Sequence, residues 1–393
     1  MSRKFKIGIF GCGRGMFVAH NVRDHFSEDA EIYAFCDRRK DRLDSASQAF
    51  PDALAFESFD DFIECGLDAV FLANYFHEHA KFAITALEKG IAVLSETTAA
   101  VTMQDCVALV EAVERTGTKY TLAENYPFSA SCLEMKRVYE TGKLGKVMYA
   151  EGEYCHPSSL EEIRNLDPEE YHWRKYAPMT YYITHSLGPL MNMTGHLPVS
   201  VTARTCYDAG RAEKIGRKYS DVAAIMTIST DQDAVFRVPA CAMFAPHGNW
   251  YRLSCTDGGI ETVRGDEGQV RLCYVPWNLP ESEVEQKFYR PEWQTNNALA
   301  AKAGHGGGDF WVTYNFIEYL KGNQGPDFDV YKATSMAATA IQAWRSVLNG
   351  NASYPVPDFR RKEDRLAYAN DNLTPFVDDY GKGATLPQDS RMR

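Results

Sequence analysis

The stretch "FKIGIFGCGRGM" (residues 5–16) joins a short apolar run to a glycine-rich turn. Gly11 and Gly13 occupy the first two positions of the G-x-G-x-x-G phosphate loop of dinucleotide-binding folds, and Met16 occupies the third. The first glycine permits a tight turn, the second lets the backbone approach a pyrophosphate, and the third governs helix packing. The stretch predicts a strand, a phosphate loop and a helix, with a plain glycine-rich turn as the alternative.

An acidic residue follows where an adenosine site needs one. Asp37 closes the apolar run "EIYAFCD", and a carboxylate about 20 residues beyond the loop accepts hydrogen bonds from the ribose hydroxyls. Arg38 and Arg39 come next and could instead bind the 2′-phosphate of NADP. We favour NAD because Asp37 would repel that phosphate. The loop and the acid together predict a dinucleotide cofactor.

The first third of the chain alternates short apolar runs with amphipathic stretches of helical length. Such alternation predicts a parallel sheet wound by helices on both faces. Gly90 and Gly117 stand where helix C-caps are expected. Because the pattern continues to about Asn125, we predict a doubly wound Rossmann domain over residues 1–125.

Runs in which apolar and polar residues alternate dominate the rest of the chain, for example "KVMYAEGEYC" (residues 146–155). They predict a C-terminal α/β domain over residues 126–393 with an open, mainly antiparallel sheet. The polar segment at residues 157–173 is expected to be a loop over a site. Residues 382–393 are expected to be a frayed tail.

The composition excludes several classes of partner. The net charge is −11, with 53 acidic against 42 basic residues, so nucleic acids and anionic membrane surfaces are poor partners. We find neither an apolar run of about 18 residues nor a signal peptide. The ten cysteines show no C-x-x-C spacing, which indicates free thiols in a reducing compartment. We therefore expect a cytoplasmic protein that acts on a small molecule.

The segment "DAVFLANYFHEHAKFAITALEKGIAVLSE" (residues 68–96) resembles the fourth and fifth strands of the Gfo/Idh/MocA oxidoreductases. The resemblance implies a Rossmann domain followed by an α/β domain whose open sheet carries the sugar site and often mediates assembly into a homo-oligomer, a dimer or a tetramer. In most members Glu96 would be followed by Lys-Pro, but Thr97 and Thr98 stand there in this chain. A threonine hydroxyl supplies neither a cation nor a general base near neutral pH.

Five further stretches are similar to the NAD-dependent α-N-acetylgalactosaminidase branch of that family, whose members also lack the lysine. They are "SETTAAVTMQDCVALVEAVERTG", "LAENYPF", "GKVMYAEGEYCH", "YYITHSLGP" and "GHGGGDFWV". The resemblance implies glycoside hydrolysis by transient oxidation at C3, removal of the C2 proton, elimination of the aglycone, addition of water and re-reduction. The alternatives are an NAD(P)-dependent sugar or glycoside dehydrogenase that makes a keto-sugar, and a sugar-sensing protein without activity.

Tyr182 and His185, in "YYITHSLGP", are the predicted catalytic residues. They stand at i and i+3, which on a helix places both side chains on one face. The resemblance implies that this pair lies beside the nicotinamide. We assign His185 as the base at the C3 hydroxyl and Tyr182 as the C2 base or its partner, although the roles could be exchanged. The alternative is a core tyrosine and a structural histidine.

Predicted substrate contacts come from three other stretches. "GHGGGDF" holds His305 and Asp309, and Asp309 could equally be the N-cap of the helix that follows. His156, Trp173 and Arg174 are predicted to line the rim of the site, with the Trp173 ring offered to a sugar; exposed loop residues without a role are the alternative.

Acidic residues at strand ends complete the prediction. Glu96 and Glu124 could hold the nicotinamide ribose or amide, because ligands bind at the carboxyl ends of parallel strands. We also count Glu124 among the substrate contacts. No metal is expected, since the "HEH" at residues 77–79 lacks further ligands at recognisable spacing. The other predicted cofactor contacts are Arg14, Asn74, His79 and Asn125.

Overall fold

The computed structural model describes residues 3–166, 169–214, 216–218, 220–292, 297–300 and 303–391. The chain divides into two compact units, each made of three segments. Unit 1 comprises Met1–Asn125, Leu299–Thr334 and Phe359–Asp371. Unit 2 comprises Tyr126–Ala298, Ser335–Asp358 and Asn372–Arg393.

Unit 1 contains a six-stranded parallel sheet. Its strands are β1 (Phe5–Phe10), β2 (Ala30–Cys36), β3 (Leu54–Phe56), β4 (Ala69–Leu72), β5 (Ala92–Ser95) and β6 (Tyr120–Leu122). Their order is β3-β2-β1-β4-β5-β6, so the direction of winding reverses between β1 and β4. This is the Rossmann order, whose ligands bind at the carboxyl ends of the strands beside the reversal. The predicted N-terminal fold is confirmed.

Helices connect the strands of both units. In chain order they are α1 (Met16–His25), α2 (Lys40–Ala49), α3 (Phe59–Ile63), α4 (His79–Glu88), α5 (Met103–Thr116), α6 (Ala130–Glu140), α7 (Leu160–Leu166), α8 (Thr184–Thr194), α9 (Ala209–Lys214), α10 (Asn297–Ala300), α11 (Gly308–Lys321), α12 (Val330–Leu348) and α13 (Lys362–Tyr368). Helix α5 ends at Gly117 with φ +65°, as predicted from the sequence. Helix α7 lies inside the segment that we expected to be a loop.

Helix α11 explains why the division differs from the predicted domains. The predicted break after residue 125 is one boundary of unit 1, but residues 299–334 also belong to that unit. Phe310 of α11 is buried, with its ring centroid 5.7 Å from that of His25 and 5.5 Å from that of Phe26. Lys119 donates to two carbonyl groups in the last turn of α11. The helix therefore completes the core of unit 1, and residues 126–393 are not one continuous domain.

Unit 2 contains a nine-stranded mixed sheet. Its strands are β7 (Val147–Cys155), β8 (Pro198–Tyr207), β9 (Asp221–Thr230), β10 (Val235–Pro239), β11 (Gly248–Cys255), β12 (Gly258–Val263), β13 (Asp266–Tyr274), β14 (Gln286–Tyr289) and β15 (Tyr354–Pro355). The order is β14-β13-β12-β11-β7-β10-β9-β8-β15, and only the β7–β10 pair of this sheet is parallel among the described residues. The predicted sheet, mainly antiparallel, is confirmed.

Helix α8 packs closely on the middle of this sheet. A Cβ placed on Gly152 of β7 would lie 2.0 Å from the carbonyl oxygen of Ser186, so only glycine allows this approach. Ser186 also donates its hydroxyl hydrogen to the carbonyl of Pro239. The start of α8, where a predicted catalytic residue lies, is therefore fixed against the sheet.

The end of the chain is not frayed as far as the structure describes it. The Trp344 indole donates to the carbonyl of Pro387 at 3.0 Å, and the Ser220 hydroxyl donates to the buried carboxylate of Asp389 at 2.6 Å. These bonds hold residues 387–389 on unit 2 and correct the sequence prediction. Within the described ranges, no helix has the length and apolar character needed to cross a membrane.

Candidate active site

Three glycines shape the loop between β1 and α1 in unit 1. Gly11 has φ +99°, and a Cβ there would lie 2.2 Å from the Ala73 carbonyl oxygen. A Cβ on Gly15 would lie 2.3 Å from the Gly11 carbonyl oxygen, whereas one on Gly13 would meet no atom within 4 Å. Gly15, which we did not single out, therefore meets the packing requirement that we assigned to the position of Met16. Gly13 leaves the backbone open to a ligand.

Asp37 lies directly after β2, next to this loop. Its carboxylate accepts hydrogen bonds from the backbone N–H groups of Cys12 at 2.6 Å and Arg39 at 2.8 Å. Burial raises the pKa of Asp37, and these two bonds oppose that shift. The carboxylate is thus held at the place where the ribose of an adenosine is expected.

Arg38 points to a different set of partners. Its guanidinium lies 4.3 Å from the centroid of the Tyr75 ring and forms an ion pair with Glu78 at 2.8 Å. A carboxylate beside the guanidinium makes a 2′-phosphate a poor ligand there, because the two anions would repel each other. This arrangement favours NAD over NADP.

Polar groups follow the ends of β4 and β6. The Oδ1 atoms of Asn74 and Asn125 are buried and accept no hydrogen bond from the described residues. Buried amide oxygens without donors are costly, so each position suits a ligand that donates a hydrogen bond. Glu124, beside Asn125, is fully buried.

Arg14 of the phosphate loop is the centre of a network of charged groups. Its Nε donates to Glu96 Oε1 at 2.8 Å, and its two Nη atoms donate to the two carboxylate oxygens of Asp309 at 3.0 and 2.7 Å. Asp309 also accepts from Asn125 Nδ2 at 2.9 Å and lies 2.9 Å from His305 Nδ1. The sequence predictions treated these residues separately, and the structure brings them together.

The pKa values follow from this pairing. Burial alone would raise the pKa of Asp309, but hydrogen bonds from His305 and Arg14 hold it well below its usual range. Burial likewise opposes the charge on Arg14, yet Glu96 and Asp309 raise the pKa of the guanidinium above its ordinary value. Both groups are therefore charged at neutral pH.

Asp309 is not the N-cap of α11. The cap is Gly307, with φ +96°, and the Asp309 side chain turns to Arg14 from the first helical turn. A Cβ on Gly308 would lie 2.3 Å from the Asn125 carbonyl oxygen. The glycines of "GHGGGDF" thus bring the start of α11 close to the end of β6.

His79 is buried at the start of α4. Its Nδ1 lies 2.9 Å from the Thr98 carbonyl oxygen and its Nε2 lies 3.3 Å from that of Asn74. Burial lowers the pKa of His79, so the imidazole is neutral. The single N–H of a neutral imidazole can donate to only one of these carbonyl oxygens, and direct contact of His79 with the cofactor stays a prediction. The next loop holds Thr97, whose N–H donates to Glu96 Oε2 at 3.1 Å.

Unit 2 contains the predicted catalytic pair in a group of aromatic rings, here called the His185 cluster. The imidazole of His185 is buried, and its centroid lies 4.6 Å from the ring of Tyr126, 5.0 Å from Tyr154 and 5.3 Å from Tyr182. The Tyr251 hydroxyl donates to the His185 carbonyl at 2.7 Å. The rings of Tyr182 and His185 therefore lie together, and their catalytic role stays a prediction.

The helical reasoning behind that pair was wrong. Helix α8 begins at Thr184 with Ile183 as its N-cap, and Tyr182 ends a preceding 3-10 turn with φ −97° and ψ 53°. The tyrosine therefore reaches His185 from outside the helix. Tyr126 and Tyr154 were not singled out, although both stand in the quoted stretches "LAENYPF" and "GKVMYAEGEYCH".

Tyr154 differs from an ordinary surface tyrosine. Burial raises the pKa of its phenol, and the neighbouring Tyr182 and Tyr126 raise it further. The phenol stays protonated and can donate a hydrogen bond at any physiological pH. His156 extends the group, with its ring centroid 5.7 Å from Tyr154 and 5.1 Å from His247.

The Trp173 ring is not exposed at the rim of a site. The side chain is buried, Arg174 covers the ring at 4.3 Å, and His172 stacks at 5.7 Å. The predicted sugar contact of Trp173 is therefore not supported, because protein groups occupy the apolar surface. Arg174 is half-buried. Burial raises the pKa of the Cys241 thiol, and the charge of Arg174 partly offsets that rise. The Cys241 N–H donates to the Tyr182 carbonyl at 3.0 Å.

Within the described ranges, no group of three or more His, Cys, Asp or Glu side chains is arranged to hold a metal ion. The ten cysteines all lie in those ranges, and none forms a disulfide bond.

Two family matches cover separate parts of the chain. Residues 5–124 match the Gfo/Idh/MocA oxidoreductase family, NAD-binding Rossmann fold, and residues 266–364 match the C-terminal domain of glycosyl hydrolase 109. The chain combines a Gfo/Idh/MocA Rossmann domain with a glycosyl hydrolase 109 C-terminal domain. It is an enzyme of the Gfo/Idh/MocA oxidoreductase type with NAD as its cofactor, which confirms the family resemblance and the cofactor prediction.

Similar proteins span almost the whole chain. A glycosyl hydrolase family 109 protein of Stenotrophomonas maltophilia is 23% identical over 415 residues, covering 91% of this chain and 89% of the relative. One of Shewanella putrefaciens is 24% identical over 392 residues, covering 91% and 85%. The structure of levoglucosan dehydrogenase in complex with NADH has a TM-score of 0.77 at 16% identity, covering 91% of this chain and all of that one (100%). The last likeness shows the fold alone.

Proposed function

We propose that this Gfo/Idh/MocA-type enzyme is an NAD-dependent glycosidase that cleaves its substrate by transient oxidation at C3 and elimination of the aglycone. The family matches support an NAD-dependent glycosidase or sugar dehydrogenase. The observation that carries the choice is the His185 cluster, where an imidazole and three phenols lie together in a chain that has Thr97 in place of the family lysine.

The residues of unit 1 fit NAD. The loop at Gly11 and Gly13 would bind the pyrophosphate, and Asp37 would bind the ribose of the adenosine. The buried Oδ1 atoms of Asn74 and Asn125 would accept hydrogen bonds from the nicotinamide half of NAD. When bound, NAD supplies a reversible hydride acceptor for the C3 carbon. Reduced cofactor would not accumulate over a full cycle, because the net reaction would be hydrolysis.

His185 provides the first proton transfer in this proposal. Its imidazole accepts the proton of the C3 hydroxyl as that carbon becomes a ketone, and histidine is the side chain most often used for such general base catalysis. The protonated Tyr154 donates a hydrogen bond to a substrate oxygen and holds the sugar ring in place.

We assign the second proton transfer, removal of the C2 proton, to Tyr182 with His185 as its partner. The C3 ketone acidifies the C2 proton, and its removal leaves an electron pair that forms the C1–C2 double bond as the C1–O bond to the aglycone breaks. The aglycone leaves with a proton. Water then adds its hydroxide to C1 and its proton to C2, and the ketone is reduced again. The sum is hydrolysis of one glycosidic bond.

The test uses the full-length enzyme with NAD, a panel of aryl glycosides of both anomers and D₂O as solvent. We expect sugar release with deuterium at C2 and no net formation of reduced cofactor. Reduced cofactor in amounts equal to substrate consumed, with the glycosidic bond intact, would instead establish the sugar dehydrogenase. Sugar release without deuterium at C2 would exclude elimination.

A further inference from the structure

The Arg14 network raises a question about how a phosphate loop tolerates acidic neighbours. Two carboxylates, Glu96 and Asp309, bind directly to a residue of that loop, and their side chains are only 13% and 6% exposed. NAD carries a negatively charged pyrophosphate to the same loop. Charges a few ångströms apart in a partly buried site interact strongly, so uncompensated carboxylates would repel it.

Arg14 is bonded to these two acids through all three of its side-chain nitrogens, while its side chain is 35% exposed. Three of its N–H groups, one on each side-chain nitrogen, donate to carboxylate oxygens, and the guanidinium also lies 4.0 Å from the centroid of the Phe17 ring. A two-point bond to one carboxylate fixes the plane of the guanidinium. This geometry differs from that of an arginine that reaches out to a phosphate.

We propose that Arg14 is a positioning residue for NAD, which offsets part of the negative charge of Glu96 and Asp309 beside the phosphate loop and does not itself bind the pyrophosphate. The inference concerns cofactor binding and is independent of the glycosidase mechanism. It revises the sequence prediction of Arg14 as a direct cofactor contact. It also explains why Asp309, 295 residues away in sequence, pairs with the loop.

Changes in NAD affinity among three variants distinguish this role from direct binding of the pyrophosphate by Arg14. Arg14→Gln removes the positive charge that lies beside the two carboxylates, so we expect NAD to bind about thirtyfold more weakly. Arg14→Gln/Asp309→Asn removes one of those carboxylates and should recover at least about fivefold of that loss. Asp309→Asn alone should bind NAD within about twofold of the wild type or more tightly, because it removes negative charge.

The experiment is calorimetric titration of each purified full-length variant with NAD and, separately, with adenosine. Adenosine is uncharged and uses the Asp37 side of the site, so its affinity should not change in any variant. Arg23→Gln is the matched control, because Arg23 lies on α1, the helix that follows the loop, and pairs with the exposed Asp24. We expect it to stay within about twofold for both ligands.

Three outcomes would overturn the proposal. The first is NAD affinity in Arg14→Gln within about twofold of the wild type. The second is a double variant no better than Arg14→Gln, which would show that Arg14 itself binds the cofactor or acts only on the fold. The third is parallel loss of NAD and adenosine binding. If Arg14→Gln does not fold, the Asp309→Asn result decides alone, since loss of NAD affinity there contradicts charge compensation.

Discussion

The Arg14 network and the His185 cluster accommodate polar groups away from solvent in different ways. In unit 1, each acid of the network has a cation or an amide hydrogen-bonded to it, so the charges are kept. In unit 2, the imidazole is surrounded by phenol rings at 4.6 to 5.3 Å. Paired charges suit the binding of a charged cofactor, whereas an imidazole among phenols suits the proton transfers that we propose for the sugar.

Two buried aspartates show the same contrast. Asp309 has Arg14 and His305 beside it, and its pKa is lowered. Asp221 of unit 2 is buried at the start of β9, and burial raises its pKa to about 7 even though Arg217 lowers it in part. Asp221 accepts one hydrogen bond, from the Met179 N–H at 2.7 Å, and its other oxygen accepts none from the described residues.

Removing the His185 imidazole should have the largest effect, because it should lower turnover without changing NAD affinity. We expect His185→Ala to lower kcat by roughly 10²- to 10⁴-fold, because the proposed general base is lost. NAD affinity should stay within about twofold, since the Arg14 network is untouched. Turnover and calorimetric titration measure the two effects. His20→Ala, an exposed histidine of α1, is the control, and near-normal turnover in His185→Ala would reject the catalytic assignment.

Asp221 should behave as a buried acid that opposes stability at high pH. Its folded pKa lies above the unfolded value of about 3.9, so the folded state holds the proton more tightly and loses stability as pH rises towards 7. Asp221→Asn keeps an acceptor for Met179 and should gain up to about 3 kcal/mol relative to the wild type between pH 5 and pH 8. Urea unfolding at both pH values measures this, and an equal effect at both would refute it.

Asp309 should show the opposite sign. Its folded pKa lies below the unfolded value, so its contribution to stability is present above about pH 4 and is lost as pH falls through the folded pKa. We expect Asp309→Asn to cost about 2 kcal/mol of unfolding free energy at pH 7 and less near pH 3. The same urea titrations check it. A stabilised variant at pH 7 would break the comparison between the two aspartates.

Tyr154 offers the smallest of these effects. Tyr154→Phe keeps the ring contact with His185 and removes only a donor, so we expect about a tenfold loss in kcat/KM. NAD affinity and thermal stability should not change. Steady-state kinetics with the best glycoside of the panel measure the loss, and Tyr380→Phe, at a residue 79% exposed, is the control. A loss as large as that of His185→Ala would give Tyr154 a role in proton transfer.

Local patterns were enough for much of unit 1. The alternating runs predicted β1, β2, β4, β5 and β6, because buried parallel strands are short and apolar and their helices are amphipathic. They did not predict β3, which has three residues and includes the exposed Leu54. Gly15 was missed because its contacts with the Gly11 carbonyl and Ile9 come from the folded loop rather than from motif spacing.

The site needed more than local patterns. Tyr182 and His185 were predicted together from their spacing, although the helix begins after Tyr182. The pairing of Arg14 with Asp309 joins residues 295 positions apart, and no periodicity carries that information. Trp173 was predicted to be available to a sugar, but burial depends on neighbours such as Arg174 that pack only in the fold.

The return of the chain to unit 1 has a consequence for biosynthesis. A ribosome makes the Rossmann strands first, yet Phe310 of α11, which packs against His25 and Phe26 at the end of α1, follows almost two hundred residues after Asn125. Until then the nascent chain keeps His25 and Phe26 without this cover, a state in which exposed apolar surface favours aggregation or chaperone binding. A stop codon placed just after residue 125 would therefore be expected to yield a fragment that aggregates rather than a free-standing cofactor domain.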